Sequence, residues 1–391
     1  MLNDFLKYQA KTTPYPLGLE VKSAKGTYIF DTHGKKYLDF VAGVSACALG
    51  HSHPKIIEAV QNQVSKYMHV MVYGEFAQEP SVKLCKLIID LLPQNHEVVY
   101  LTNSGTEAIE GAMKLAKRVT GRSGLIGAKN SYHGSTHGAL SLLGEENQKM
   151  AYRPLLPGIG FIIFNNEKDL EKINKSTAAV VLETIQGGAG FILPENDYLK
   201  KVKKRCEETG ALLILDEVQP GFGRTGKMFG FEHFGISPDI VVMGKALGGG
   251  MPIGAFSAAS ALMKVLEENP KLGHITTFGG NPVIAAAALA NVEEIISSKI
   301  IADIKNKEEL FRKHLQHPKI KQINGTGLML APIFEEEEIP TQLVHRCLKK
   351  GLLLFWLLWE KNAIRISPPL NISDQEIIAG CKIISQTLDE V

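Results

Sequence analysis

The chain holds little of what a secreted or membrane-embedded protein relies on. Its five cysteines among 391 residues (Cys47, Cys85, Cys206, Cys347 and Cys381) are odd in number, scattered, and never spaced as C-x-x-C. That spacing speaks against a disulfide frame and against a zinc site, so no metal is expected and a reducing cytoplasm is the favoured location. No apolar run exceeds that of Leu352 to Trp359, which is far short of the ~20 residues that span a bilayer and is expected as a buried strand. Met1 to Thr13 shows no apolar stretch behind a basic start, so neither a secretion signal nor a transit segment is expected there. Net charge is scarce too: 43 basic against 41 acidic side chains leave no field to steer nucleic acid or an anionic membrane. No G-x-x-x-x-G-K-[ST] pattern is present, and no strand-borne G-x-G-x-x-G with a following acid, which disfavours a nucleotide-binding enzyme.

What is present is enough apolar sequence, 45% of a 391-residue chain, for more than one lobe. From about Glu97 to Ser257, short runs rich in Val, Ile and Leu alternate with amphipathic stretches. That alternation predicts an α/β domain with a parallel sheet covered on both faces. Strands are expected at Val98–Leu101, Gly124–Ala128, Gly160–Ile163, Ala179–Glu183, Ala211–Leu215 and Ile240–Met243, with helices such as Glu107–Val119 and Asp197–Thr209 between them. We expect residues 71–298 to form this large domain and residues 299–391 a smaller α+β lobe, joined by the N-terminal segment 1–70. The smaller lobe would hold helices at Lys305–Gln316 and Asp374–Glu390 and strands at Gly327–Pro332 and Gly351–Trp359. The acidic run Glu335–Glu338 is expected as a solvated turn.

Two strand ends carry chemistry. One apolar strand ends in Asp216, followed by Glu217-Val218-Gln219-Pro220-Gly221-Phe222-Gly223-Arg224-Thr225-Gly226; another ends in Gly244-Lys245, followed by Ala246-Leu247 and three glycines. Ligands in open α/β sheets bind beyond the carboxyl ends of the strands. A lysine amine forms Schiff bases with carbonyl compounds, and neighbouring glycines let a flat ligand approach. Taken singly, an acid after a strand is commonly a cap or turn residue and a lysine a surface charge. A second segment, Thr102-Asn103-Ser104-Gly105-Thr106-Glu107, follows a strand and opens a helix, which suits a phosphate but is equally an ordinary capping box.

The stretch from Asp216-Glu217-Val218-Gln219 to Lys245-Ala246-Leu247-Gly248-Gly249-Gly250 resembles the signature of the class III aminotransferases, and the resemblance extends over nearly the whole chain. It implies the fold type I architecture, with a mainly parallel seven-stranded sheet, and pyridoxal 5′-phosphate as cofactor. Lys245 would then hold the cofactor as a Schiff base and carry protons. Asp216 would pair with the ring nitrogen. Val218 would pack on one ring face, Gln219 would bond the ring's phenolic oxygen, and Ser104, Gly105 and Thr106 would form the phosphate cup. Ser131-Tyr132-His133-Gly134 matches the cofactor-stacking segment, with Tyr132 as the stacking ring and His133 beside it. Thr277, in Thr276-Thr277-Phe278-Gly279-Gly280-Asn281-Pro282, matches a threonine that reaches the neighbouring subunit's cofactor, which implies an obligate homodimer. Arg365, in Ile364-Arg365-Ile366-Ser367-Pro368-Pro369, would clamp a substrate carboxylate. Arg224, in its glycine-rich loop, is expected as a solvated turn residue.

The departures lie on the substrate side. Relatives acting on acetylornithine, ornithine or 4-aminobutyrate usually read His-Gly-Arg where this chain reads His133-Gly134-Ser135. Losing that charge-assisted contact costs on the order of 1.5–3 kcal/mol of binding for a second carboxylate. Gly188, in Ile185-Gln186-Gly187-Gly188-Ala189-Gly190, stands where ornithine-type relatives commonly carry a Glu that masks the carboxylate-binding arginine. Trp356 and Trp359 are expected mainly as core. The resemblance thus implies transfer of an amino group from an amine or ω-amino acid to a 2-oxo acid such as 2-oxoglutarate or pyruvate. A mutase, racemase or decarboxylase of the same family is the enzymatic alternative, since the cofactor constellation alone does not decide which bond breaks. A non-catalytic scaffold is disfavoured by the joint presence of Thr106, Asp216, Gln219, Lys245 and Thr277.

Overall fold

Two apolar patterns of different period build the molecule, and the computed structural model describes all 391 residues. Near the N-terminus, β1 (Val21–Lys25), β2 (Tyr28–Asp31) and β3 (Lys36–Asp39) form an antiparallel meander. The central strands follow: β4 (Val98–Thr102), β5 (Gly124–Ala128), β6 (Ile159–Ile162), β7 (Thr177–Glu183), β8 (Leu212–Asp216), β9 (Ile240–Gly244) and β10 (Gly254–Ala258). They make one sheet in the order β4-β10-β9-β8-β7-β5-β6. Only β10 runs antiparallel to its neighbours, so the sheet is mainly parallel and seven-stranded. Every residue of β7, β9 and β10 is buried, which is why these strands read as unbroken apolar or small-residue runs rather than alternating ones.

The helix Gly105–Thr120 shows how sequence, cap and packing agree. Ser104 Oγ accepts the Glu107 N–H at the first turn, and Gly121, at φ 67°, closes the last. Its apolar face (Ala108, Ile109, Ala112, Met113, Ala116) packs with Ile214, Val242 and Phe256 of the sheet in one buried cluster. Small residues at the contact bring helix and sheet close, and the helix start is thereby fixed beside the ends of β8 and β9.

Strand pairing brings the two ends of the chain together. β11 (Ile320–Thr326) and β12 (Met329–Phe334) form a hairpin, and β13 (Leu352–Leu353) adds to β3 in parallel, joining residues near 38 to residues near 352. Phe40 meets Phe311 edge-on at 5.2 Å across this junction. The helices Ile304–His314, Glu338–Lys349 and Asp374–Leu388 cover it, the last opened by a capping box from Ser373 and Glu376.

Two expectations need correction. The run Leu352–Trp359 is not one buried strand: β13 ends at Leu353, and β14 (Phe355–Trp356) pairs instead with β15 (Ile364–Arg365). Phe355 and Leu358 are exposed, because the segment leaves the small sheet to form a wall facing the large domain. Arg224 is not a solvated turn residue but is fully buried. Its guanidinium donates to the carbonyls of Leu328 and Pro368, tying the glycine-rich loop to the smaller lobe. The acidic run is exposed as expected, and Glu338 opens the next helix, where its charge suits the helix dipole.

Candidate active site

Parallel strands that end at one edge of a sheet present their last side chains together, and here those side chains are acids and a lysine. The β7–β8 register sets Glu183 beside Asp216, and β9 ends immediately before Lys245. They share a cavity of 480 Å³ with the helix start at Gly105 and Thr106, with the loop Tyr132–Ser135, and with Gly188, Val218, Gln219 and Arg365. Eleven of the thirteen residues singled out from sequence therefore meet in one place. Ser104 lies just outside as the helix cap, and Thr277 is exposed, away from this cavity.

Asp216 is the hub. One carboxylate oxygen lies 2.8 Å from His133 Nδ1, and the other accepts the Val218 N–H at 2.9 Å, ending the strand in a tight turn. Burial alone would depress the His133 imidazole, yet the Asp216 hydrogen bond and charge hold it above its ordinary 6.5. His133 Nε2 is buried without a partner. Gly105 sits against Val218: a Cβ there would come within 2.9 Å of Val218 Cγ2, so a larger residue would push the helix start away from the β8 end.

Lys245 takes a left-handed backbone (φ 42°), uncommon for a residue with a side chain and a form of strain that concentrates at functional sites. The following turn is pinned by Asn291, whose side-chain amide donates to the Ala246 carbonyl at 2.7 Å and the Leu247 carbonyl at 3.2 Å. Burial lowers the Lys245 ammonium from 10.5 to about 8, against the pull of Asp216. This raises the neutral, nucleophilic fraction at neutral pH above that of an ordinary lysine. Arg365 is buried; its Nε donates to the Trp356 carbonyl at 3.2 Å, while Nη1 has no partner. Burial pulls its guanidinium down to about 10.

Sequence reasoning missed several members. Glu183 accepts N–H bonds from Gly187 and Tyr132, and burial raises its carboxyl to about 7. Its signal was available, since it ends a predicted strand as Asp216 does. Glu217, also raised to about 7 by burial, holds Thr184 Oγ1 and the N–H groups of Gly230 and Phe231, fixing the loop behind the site. Val44 lines the cavity from a left-handed turn in which Ala42, Gly43, Val44 and Ser45 have φ of 51°, 59°, 59° and 68°. Asp39 anchors that turn by accepting the Val41 and Ala42 N–H groups at one oxygen, while the other lies 2.8 Å from His51 Nε2. No local pattern announces such a run. Trp356, expected as core, lines the cavity instead, with Phe355, Leu357 and Leu358.

These residues fit pyridoxal phosphate. A helix start leaves N–H groups without intrahelical partners for a phosphate, Asp216 offers a buried carboxylate to a protonated ring nitrogen, and Lys245 offers an amine of lowered basicity to an aldehyde. The unpartnered Arg365 Nη1 adds a place for a carboxylate beside them.

Similarity to known proteins points the same way. The model of the aminotransferase class-III family matches residues 8–388. The acetylornithine aminotransferase of Caldanaerobacter subterraneus subsp. tengcongensis is 37% identical, with 96% of each chain covered. The putrescine aminotransferase of Pectobacterium atrosepticum is 38% identical over 95% of this chain and 83% of its own. The ornithine aminotransferase of Toxoplasma gondii, solved with PLP at partial occupancy in its active site, superposes with a TM-score of 0.92 at 28% identity, covering 100% of this chain and 95% of that one. With the family model spanning almost every residue and the site assembled around Asp216 and Lys245, the chain belongs to the class III aminotransferases, enzymes that use pyridoxal phosphate to transfer an amino group.

Proposed function

We propose that this enzyme moves an amino group from a primary amine to a 2-oxo acid, with Lys245 as the cofactor's covalent anchor and as the proton carrier at the substrate carbon. The observation that carries this reading is the placement of the Lys245 amine in one cavity with the Asp216–His133 pair and the open Arg365 guanidinium. When bound, pyridoxal phosphate supplies the carbonyl that takes up the amino group and the ring that stores the electrons of the substrate carbon. Asp216 holds a positive charge at the ring nitrogen, and His133 buttresses Asp216 from behind. Gly105 and Thr106 take the phosphate, Gln219 the phenolic oxygen, and Tyr132 and Val218 the two ring faces. Arg365 binds and orients the carboxylate of the 2-oxo acid.

The working unit in this reading is a homodimer in which Thr277 of each subunit completes the phosphate site of the other. Support comes from exposed apolar side chains beside Thr277: Phe76, Leu272 and Ile275 line a groove of 710 Å³ that reaches Thr276, and Phe278 is exposed next in the chain. Residues 71–298 act as the cofactor-binding domain, and 1–70 with 299–391 as the lobe that closes the cavity with Arg365 and the β14 wall. No helix is long and apolar enough to cross a membrane, and five unpaired thiols suit a cytoplasmic location.

The test is a coupled assay on the cofactor-loaded chain, with a panel of primary amines as donors and a 2-oxo acid as acceptor. Stoichiometric formation of the carbonyl product and the new amino acid is expected. Release of carbon dioxide, or isomerisation without an acceptor, would point to a different bond being broken.

A further inference from the structure

The cavity that takes the substrate is nearly empty of charge once the cofactor's own partners are set aside. Among its nineteen lining residues the only Lys and Arg are Lys245 and Arg365, and the only acids are Asp216 and Glu183. Asp216 is committed to His133 and Val218, and Glu183 to the N–H groups of Gly187 and Tyr132. The remaining walls are Val44, Pro220, Phe355, Trp356, Leu357 and Leu358. At the rim, where a second cation could stand, Ser135 presents a hydroxyl 3.1 Å from the Tyr132 phenol.

Gly188 explains why no charge is added from the other side. A Cβ at this position would lie 2.7 Å from Trp359 Nε1 and 2.8 Å from Cδ1. The two segments are held together here by their backbones: the main-chain N–H groups of Trp359 and Glu360 donate to the Gly188 carbonyl, at 2.9 and 3.3 Å. The indole thus occupies the space that a side chain at 188 would need, and the loop 185–190 carries no Asp or Glu to cover Arg365. Its Nη1 stays buried, unpartnered and open.

We propose that the site is built for substrates with a single carboxylate or none: a 2-oxo monocarboxylic acid held by Arg365, and an amine donor whose uncharged body lies on the Phe355–Leu358 wall. Ser135, Gly188 and Trp359 are the residues that set this preference. A second carboxylate, as in a 2-oxo dicarboxylic acid, would meet apolar side chains and the Ser135 hydroxyl with no second cation among this chain's lining residues to pair with it. This rests on the transaminase reading above. The exchange balances without an outside oxidant: the donor's C–N bond breaks and its carbon leaves as a carbonyl, oxidised by two electrons. The 2-oxo carbon gains the nitrogen and the two electrons, and the water consumed in one half is returned in the other.

Two measurements on the full-length, cofactor-loaded chain decide the matter. In the first, kcat/KM is compared for pyruvate and 2-oxoglutarate with 3-phenylpropylamine, 4-aminobutyrate and N-acetylornithine as donors; pyruvate is expected to exceed 2-oxoglutarate at least tenfold, with the aryl amine the best donor. The second, calorimetric titration with unreactive pentanoate and glutarate, needs no turnover: pentanoate is expected to bind at least tenfold tighter, Arg365→Ala to remove that binding, and Ser135→Arg to shift the preference toward glutarate. Equal or tighter glutarate binding, or faster turnover with 2-oxoglutarate, would overturn the proposal while leaving transamination intact. Selective pentanoate binding with no amino transfer from any donor would instead uphold the carboxylate selectivity and defeat the assignment of the reaction.

Discussion

Lys245→Ala is expected to lower kcat for amino transfer by about 1,000-fold or more, with the fold unchanged. Proton transfer by one positioned side chain is worth about 10²–10⁴-fold on its own, and this variant also loses the covalent anchor. Loss of activity through misfolding is separable by stability. In the cofactor-free protein, burial depresses the Lys245 ammonium to about 8, so between pH 8 and 10.5 folding releases a proton that the unfolded lysine keeps. A depressed group gives its stability above the unfolded value near 10.5 and loses it as pH falls through about 8. At pH 7 the buried ammonium opposes folding, and alanine removes that cost. The variant's stability relative to the parent should therefore be greatest at pH 7 and should fall as pH rises from 8 to 10.5. A variant that turns over near the parental rate would remove Lys245 from the mechanism. A stability difference that does not change between pH 7 and 10.5 would mean that the ammonium is held by attractions that match its desolvation.

Asp216→Asn carries the second large effect. The carboxylate faces His133 at 2.8 Å inside the protein, and it supports positive charge on both His133 and Lys245. Asparagine keeps the size and one acceptor oxygen but not the charge. A fixed charge in a site from which water is excluded is worth about 2.7–4 kcal/mol of barrier by comparison with single preorganised groups elsewhere, so kcat should fall about 10²–10³-fold. Two side effects mark the cause as electrostatic. The His133 imidazole, no longer held above 6.5, should titrate lower by nitrogen NMR, and the Lys245 amine should move further below 8. Parental kcat, or an unmoved His133, would assign Asp216 a purely structural part.

How much of this could be read in advance differs by element. The central sheet was legible because β7, β8 and β9 are buried on both faces and so are continuous apolar runs, two ending in an acid and the third just before Lys245; the expected bounds of these strands differ from the structure by one or two residues. Asp216 and Lys245 were legible for the same reason. Glu183 was visible as a strand end, but its meaning needs the β7–β8 register that sets it beside Asp216. The Phe355–Leu358 wall was misread because an apolar run gives no sign of which sheet it will join. Here β13 pairs with β3 and β14 with β15, and the break between them turns two aromatics toward the cavity. The left-handed turn at Ala42–Ser45 is set by Asp39 and by packing rather than by its own sequence. Gly188 was noticed as a departure, but only the structure shows that Trp359 fills the space above it.

The most direct test of the central claim is chemical rather than kinetic. The cofactor-loaded protein is reduced with borohydride, which fixes pyridoxal phosphate to the amine that holds it, and the digested chain is mapped by mass. The expected result is a label on the peptide carrying Lys245 and on no other lysine. A label on a different lysine, or none at all after saturating cofactor, would contradict the assignment of Lys245 and with it the reading of the cavity.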